Sequence, residues 1–189
     1  MISAYIRKVE IHLVRTHTEV LRWFRVSDEL KHYRPVDGGW SILEILEHIS
    51  LTSHFLLKLI NKGTEKALRK SKDANLAERL LEFEYDLSRI DAIGQHKSFA
   101  WIRPEHMEPT GTKSELEIRM QMLDQVKICQ TQLERLANGE GLQHKITMTV
   151  NDLGKLNVYE YVYFLSKHAE RHIGQMKENQ LEFENGKQQ

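Results

Sequence analysis

The sequence predicts an all-α fold, an antiparallel four-helix bundle with an additional helix in the crossover between helices 2 and 3. Three observations carry this expectation. Only three prolines, Pro35, Pro104 and Pro109, interrupt the 189 residues. Apolar side chains recur at spacings of three and four along four long stretches, the period of a helix with one buried face. Strand-like alternation is almost missing.

The first stretch carries Ile2, Ile6, Val9, Leu13, His17, Val20 and Phe24 on one stripe and should end before the polar run Ser27-Asp28-Glu29. A loop through Pro35 and Gly38-Gly39 follows. The second helix announces its start with Ser41 and Glu44, a capping box, and Trp40 is placed to staple onto Ile45. Its stripe is Ile42, Ile45, Leu46, Ile49, Leu56 and Ile60, with Gly63 as the expected stop. The crossover begins with the basic stretch from Lys66 to Lys72. Asn75 and Glu78 then read as another cap, and Leu76, Leu80, Phe83, Leu87 and Ile90 as a helical stripe ending near Gly94. The segment holding Trp101, Pro104, Pro109 and Gly111 should be irregular. Thr112 with Glu115 reads as the cap of the third main helix, whose stripe is Leu116, Met120, Leu123, Val126, Leu133 and Ala137 and whose stop is Asn138-Gly139. The stretch Lys145 to Val150 alternates and is β-branched, but reads as a lone strand without a partner. The last helix starts at Asn157 with Glu160 three residues on and Leu156 stapled to Tyr161. Its stripe is Tyr161, Leu165, His168, His172 and Met176.

Composition bounds the function. A chain of this length is expected to form one domain over residues 1–189, large enough to fold without a disulfide or structural metal. Any metal would then serve function. Lys+Arg 27 against Asp+Glu 27 leaves a formal net charge of +0, so no cationic field attracts nucleic acid. The single Cys129 fits a reducing compartment. The opening residues lack a signal-peptide core and no run approaches a membrane span, so the expected location is cytoplasmic.

Ten histidines are many for this length. His32, His96, His106 and His144 fall in or beside expected loops, and His12 and His54 lie off the apolar stripes and read as solvated. His17 sits on a buried stripe. His168 and His172, four apart, lie about 40° apart around a helix and ~6 Å apart along it. Two inward imidazoles on one face are hard to satisfy with protein acceptors alone, and a divalent cation satisfies both. His48 borders the buried face of the second helix and would complete a set of three.

The motif Trp40-Ser-Ile-Leu-Glu-Ile-Leu-Glu-His48-Ile resembles the second-helix motif of the DinB-like superfamily, which includes bacillithiol-transferase-like proteins. Lys167-His168-Ala-Glu-Arg-His172-Ile-Gly-Gln175 resembles its last-helix motif, and Pro104 to Gly111 and Leu153 to Val158 resemble its connecting loops. The segment from Lys66 to Lys97 departs from the pattern. The resemblance implies a four-helix bundle, often a homodimer, with a divalent metal held by His48, His168 and His172. It also implies a small-molecule substrate, with a low-molecular-weight thiol as the co-substrate of a transferase; it does not imply contact with DNA, and the neutral charge balance agrees.

Three neutral imidazoles leave the +2 of such an ion uncompensated, so water or a thiol at an open position would lose its proton more readily. The same acidity would serve a hydrolase or isomerase, and a bundle without turnover would use the ion only as a scaffold. Imidazole accepts Zn, Ni, Fe(II) or Cu, so the ligand set selects no metal. Among the neighbours, Glu44 is explained by its cap and Glu47 should face solvent. Glu170 and Arg171 should lie on the outer face, with Arg171 available to an anionic substrate, and Gln175 should back His172. Tyr161 reads as core, Tyr163 as a phenol near the site, and Cys129 as a buried or edge thiol.

Overall fold

In the computed structural model, which describes residues 1–72, 76–99 and 104–187, the chain is overwhelmingly helical. Four long helices dominate: α1 (Ile2–Arg22), α3 (Ile42–Ser71), α6 (Glu115–Arg135) and α7 (Val158–Gly186). Short helices α2 (Asp28–His32), α4 (Leu76–Leu81) and α5 (Ser88–Asp91) sit in the connections, together with strands β1 (Lys145–Met148) and β2 (Gly154–Asn157). The expectations for Asn75 and Trp101 lie outside the described residues.

The long helices pack in a ring, α1 on α7, α7 on α3, α3 on α6 and α6 on α1. Their directions are mixed. Residue numbers rise together between α1 and α7, from Tyr5 against Tyr159 to the Glu19–Lys177 ion pair at 3.0 Å. They also rise together between α3 and α6, from Ser50–Gln121 at 3.2 Å to Glu65–Arg135 at 2.7 Å. Between α3 and α7 they run opposite, Trp40 meeting Asn179 and Gly63 meeting Val158. Antiparallel pairing thus holds between α3 and α7, while α1/α7 and α3/α6 are parallel. A parallel pair cannot be joined by a tight turn, so the α3–α6 crossover travels back along the bundle.

Local chemistry explains most boundaries. Ser41–Glu44 and Asn157–Glu160 form complete capping boxes as expected. The cap of α6, however, is Ser114 with Glu117 rather than Thr112 with Glu115. Ser27 caps α2, so the polar run read as a loop starts a helix. Gly63 does not end α3, which runs on for two more turns. A Cβ there would come within 2.9 Å of Ile146 Cδ1 and 3.2 Å of Val158 Cγ2, so the residue is glycine because the hairpin crosses α3 at that point. The stretch read as one crossover helix divides into α4 and α5, with a 3-10 turn from Ala92 to Gly94. The lone strand has a partner after all: Lys145–Met148 pairs antiparallel with Gly154–Asn157, Ile146 opposite Leu156. The connecting turn holds Asn151 and Asp152 at positive φ, followed by Gly154 at +75°.

The α6 stripe is also corrected. Ile118, Met122, Gln125, Cys129 and Leu133 face inward, while Leu116 (67% exposed), Met120 (50%) and Leu123 (42%) face out. Cys129 is buried, and desolvation pushes its thiol up to about 12.

The apolar core has two parts. One gathers Tyr5, Val9, Leu13, Ile60, Leu133, Tyr159 and the run Tyr161 to Leu165. The other gathers Val20, Phe24, Ile42, Ile45, Leu46, Ile49, Ile118, Met122, Ile173 and Met176. Between them in the sequence of each long helix lie buried polar side chains: Thr16 and His17, Ser50, Thr52 and Ser53, Gln125, and Ser166 with His168.

Candidate metal centre

The structure brings His48, His168 and His172 together, one ligand nitrogen from each lying within 4.8 Å of the other two. α3 supplies the first, and consecutive turns of α7 supply the other two, as the i, i+4 spacing requires. Ring centroids stand 5.2 Å apart for His48–His168, 4.7 Å for His48–His172 and 4.6 Å for His168–His172. His48 and His168 are each 2% exposed and His172 is 9%.

Partners at the far side of two rings decide which nitrogens face inward. Nδ1–H of His48 donates to the Met107 carbonyl at 2.7 Å, and Nδ1–H of His172 donates to Gln175 Oε1 at 2.9 Å. A ring protonated at Nδ1 presents Nε2 as a lone pair. His168 Nε2 then lies 3.3 Å from His48 Nε2 and 3.2 Å from His172 Nε2. A hydrogen on His168 Nε2 serves one of these contacts at a time, whereas one cation serves all three nitrogens. Metal–imidazole bonds of roughly 2.0–2.1 Å at tetrahedral angles put neighbouring nitrogens about 3.3–3.4 Å apart, close to the 3.3 and 3.2 Å of these two contacts. The donor set therefore fits a divalent metal.

Burial sets the electrostatics. Desolvation, reinforced by the neighbouring imidazoles, holds His168 well below the usual histidine range and lowers His172 to about 3. Both rings are thus held neutral, the form a metal requires. Among the described residues the cluster contains no carboxylate. His17 is buried as expected, its Nδ1–H donating to the Leu13 carbonyl at 2.9 Å, and burial lowers it to about 4.

Other expectations sort differently. Gln175 does back His172, and Tyr161 is core, its hydroxyl donating to the Thr147 carbonyl at 2.8 Å. Tyr163 donates to Asp91 Oδ1 at 2.6 Å, and that carboxylate also takes Lys167 at 3.0 Å. Glu47 does not face solvent: it is 1% exposed and accepts from Thr110 Oγ1 and Gly111 N, both at 2.8 Å. Arg171 is not on an outer face either. It is buried and donates to the carbonyls of Gln95 and Phe99 and to Ser98 Oγ, its guanidinium 4.7 Å from the Phe99 ring centroid. His12 is only partly exposed, 3.4 Å from Glu170 and packed on Tyr163, so it is not simply solvated.

Reasoning from sequence missed Glu47, the Met107 carbonyl and Trp40, whose ring lies 4.8 Å from His48. One signal was available for the first. No Asp, Glu, Lys or Arg occurs from His48 to Leu57, so this part of α3 has no charged outer face and Glu47 borders an enclosed turn.

Comparison with known proteins now places the chain. A family model described as the DinB superfamily matches residues 12–176. The chain belongs to the DinB superfamily. It is also similar to the uncharacterized protein YuaE of Bacillus subtilis (strain 168), 27% identical over 154 residues that cover 81% of this chain and 85% of that one. No solved structure matches it. No helix among the described residues is long and apolar enough to cross a membrane.

Proposed function

We propose that this DinB-superfamily protein binds one divalent transition metal through His48, His168 and His172 and uses it to activate a low-molecular-weight thiol for transfer to a small electrophile. One observation carries the reading: three Nε2 atoms converge, two of them fixed as lone pairs by Nδ1–H bonds to Met107 and Gln175. A metal held by three neutral imidazoles supplies Lewis acidity at its remaining coordination positions. The chain's own part is to orient the rings, keep them unprotonated by burial, and exclude bulk water with the apolar clusters on either side. Hydrolysis or isomerisation of a carbonyl substrate would use the same acidity and is the competing chemistry.

Elemental analysis of protein purified without an affinity tag tests the binding step. About one equivalent of Zn, Ni, Fe or Cu, or its uptake on reconstitution, is expected; less than a tenth of an equivalent with no uptake overturns the reading. A panel of thiols and electrophiles then tests turnover. Rates that do not exceed those of His168→Ala, with metal bound to the unsubstituted protein, would leave a non-catalytic metal scaffold. The pairing of two copies belongs to this reading as well, the exposed Leu116, Met120 and Leu123 offering an apolar strip on α6. Light scattering should give twice 22.3 kDa, and a monomer mass removes the pairing.

A further inference from the structure

Two consecutive residues of α3 hold the same short loop. His48 Nδ1–H donates to the Met107 carbonyl at 2.7 Å, while the Glu47 carboxylate accepts from Thr110 Oγ1 and Gly111 N, both at 2.8 Å. Side chains one residue apart on a helix diverge by about 100°, so the pair grips residues 107–111 at both ends. Beside these bonds, the loop touches α3 through the His106 ring, which packs edge-on against Phe55 at 4.4 Å, and Met107 and Pro109 are half-buried. Residues 104–106, 108 and 110–112 are exposed, and its internal bonds are local, Met107 N to Pro104 O at 2.9 Å and Thr110 Oγ1 to Thr112 Oγ1 at 2.6 Å. Gly111 turns at φ +67°, which points its N–H at Glu47. A carboxylate 1% exposed that receives a backbone N–H and a hydroxyl is an anchor rather than a solvated charge.

The Met107 carbonyl matters because it fixes which nitrogen of His48 carries the proton. A carbonyl can only accept, so while it stays in place Nε2 is the lone pair aimed at His168. We propose that Glu47 is a positioning residue of the metal centre: by pinning the 107–111 loop it holds the Met107 carbonyl against His48 and so sets the tautomer and direction of that ligand. The proposal rests on the metal reading above for its consequence, but its first step concerns the chain alone. It also separates the two α3 glutamates near the site, since Glu44 serves the helix cap and Glu47 serves the ligand.

The test uses the full chain, first free of metal. Nitrogen-resolved NMR of the imidazoles reads the tautomers of His48 and His172 in the unsubstituted protein and in Glu47→Ala, Glu47→Gln and Thr110→Val. Glu47→Ala should turn the single Nδ1–H form of His48 into a mixture while leaving His172, held by Gln175, as it was. Zn(II) affinity, measured against a chromophoric chelator, should fall about 10- to 100-fold, the usual cost of losing such a supporting contact. Glu47→Gln retains the shape and one acceptor, and Thr110→Val removes one donor, so both should fall between. These two milder variants carry the test if Glu47→Ala does not fold. An unchanged His48 tautomer with Zn(II) affinity within about threefold overturns the proposal. So does an equal disturbance of His48 and His172, which would mark general loosening. If the unsubstituted protein takes up no Zn(II), the metal reading fails while the tautomer measurements still decide the role of Glu47.

Discussion

The burial of the imidazoles predicts how stability and metal binding respond to acid. His17 and His172 are lowered to about 4 and about 3, chiefly by desolvation, and His168 moves in the same direction. In the unfolded chain each titrates near 6.5. Between these values the unfolded state takes up protons that the folded state refuses, so the folded form loses stability as pH falls below about 6.5 and keeps it above. At pH 5 this costs about 2 kcal/mol for each of His17 and His172 relative to pH 7, with His168 adding to the loss. For a chain of this size about 1 kcal/mol corresponds to roughly 2–4 °C, so metal-free protein should melt at least ~8–16 °C lower at pH 5 than at pH 7. Circular dichroism melts at matched ionic strength measure this above the range in which carboxylates titrate.

The same burial makes an opposite prediction for the folded site. An exposed histidine loses about 25-fold of its neutral form between pH 7 and pH 5, so a site with two exposed ligands would weaken about 600-fold. Here His168 and His172 are already neutral at pH 5, and their share of that loss should vanish. Zn(II) competition at the two pH values, with an NMR titration of His172, checks the point. A His172 midpoint near 6.5, or a melting temperature flat from pH 7 to 5, would refute the argument from desolvation.

His168→Ala should abolish stoichiometric metal binding yet lower the melting temperature of metal-free protein by less than about 15 °C, because two apolar clusters supply the folding energy independently; elemental analysis and calorimetry check the two halves. Gly63→Val should destabilise by about 1–3 kcal/mol, seen as a lower urea midpoint, since its Cβ alone comes within 2.9 Å of Ile146 Cδ1. Ser114→Ala should cost about 1 kcal/mol and Thr112→Ala within about 0.5 kcal/mol, because only Ser114 accepts from the first turn of α6, through Glu117 N. Equal effects in urea titrations would move the cap back to Thr112.

How far the sequence could be read depended on the kind of interaction. Period and caps are local, and they located four long helices and the complete boxes at Ser41 and Asn157. The i, i+4 histidines were legible because helix geometry alone puts them on one face. Direction was not, since nothing local distinguishes a parallel from an antiparallel neighbour. Glycine misled at Gly63, where the lost side chain makes room for Ile146, 83 residues away, rather than ending a helix. In α6 the two possible stripes are nearly equal in apolar content. The inward one uses Gln125, which reaches the Ser50 carbonyl at 2.9 Å, and hydrophobicity alone could not have chosen it. Glu47 and Arg171 failed for a related reason: each is a buried polar side chain whose partners are backbone groups and single hydroxyls of the crossover, distant in sequence and carrying no complementary charge.

These buried side chains connect helix direction to the chemistry of the centre. Because α3 and α6 run parallel, the chain must return along the bundle between them, and that return passes beside the three histidines. Arg171, beside His172, fastens it at Gln95 to Phe99; Glu47, beside His48, fastens it at Thr110 and Gly111. Each helix that supplies a metal-ligand candidate therefore also supplies, one residue away, the group that holds the crossover. An antiparallel α3/α6 pair would have needed only a short turn, and no segment would bring the Met107 carbonyl to His48. The crossover is thus part of the site: the acceptor of the His48 Nδ1–H comes from it, whereas His17 takes its acceptor from the preceding turn of its own helix.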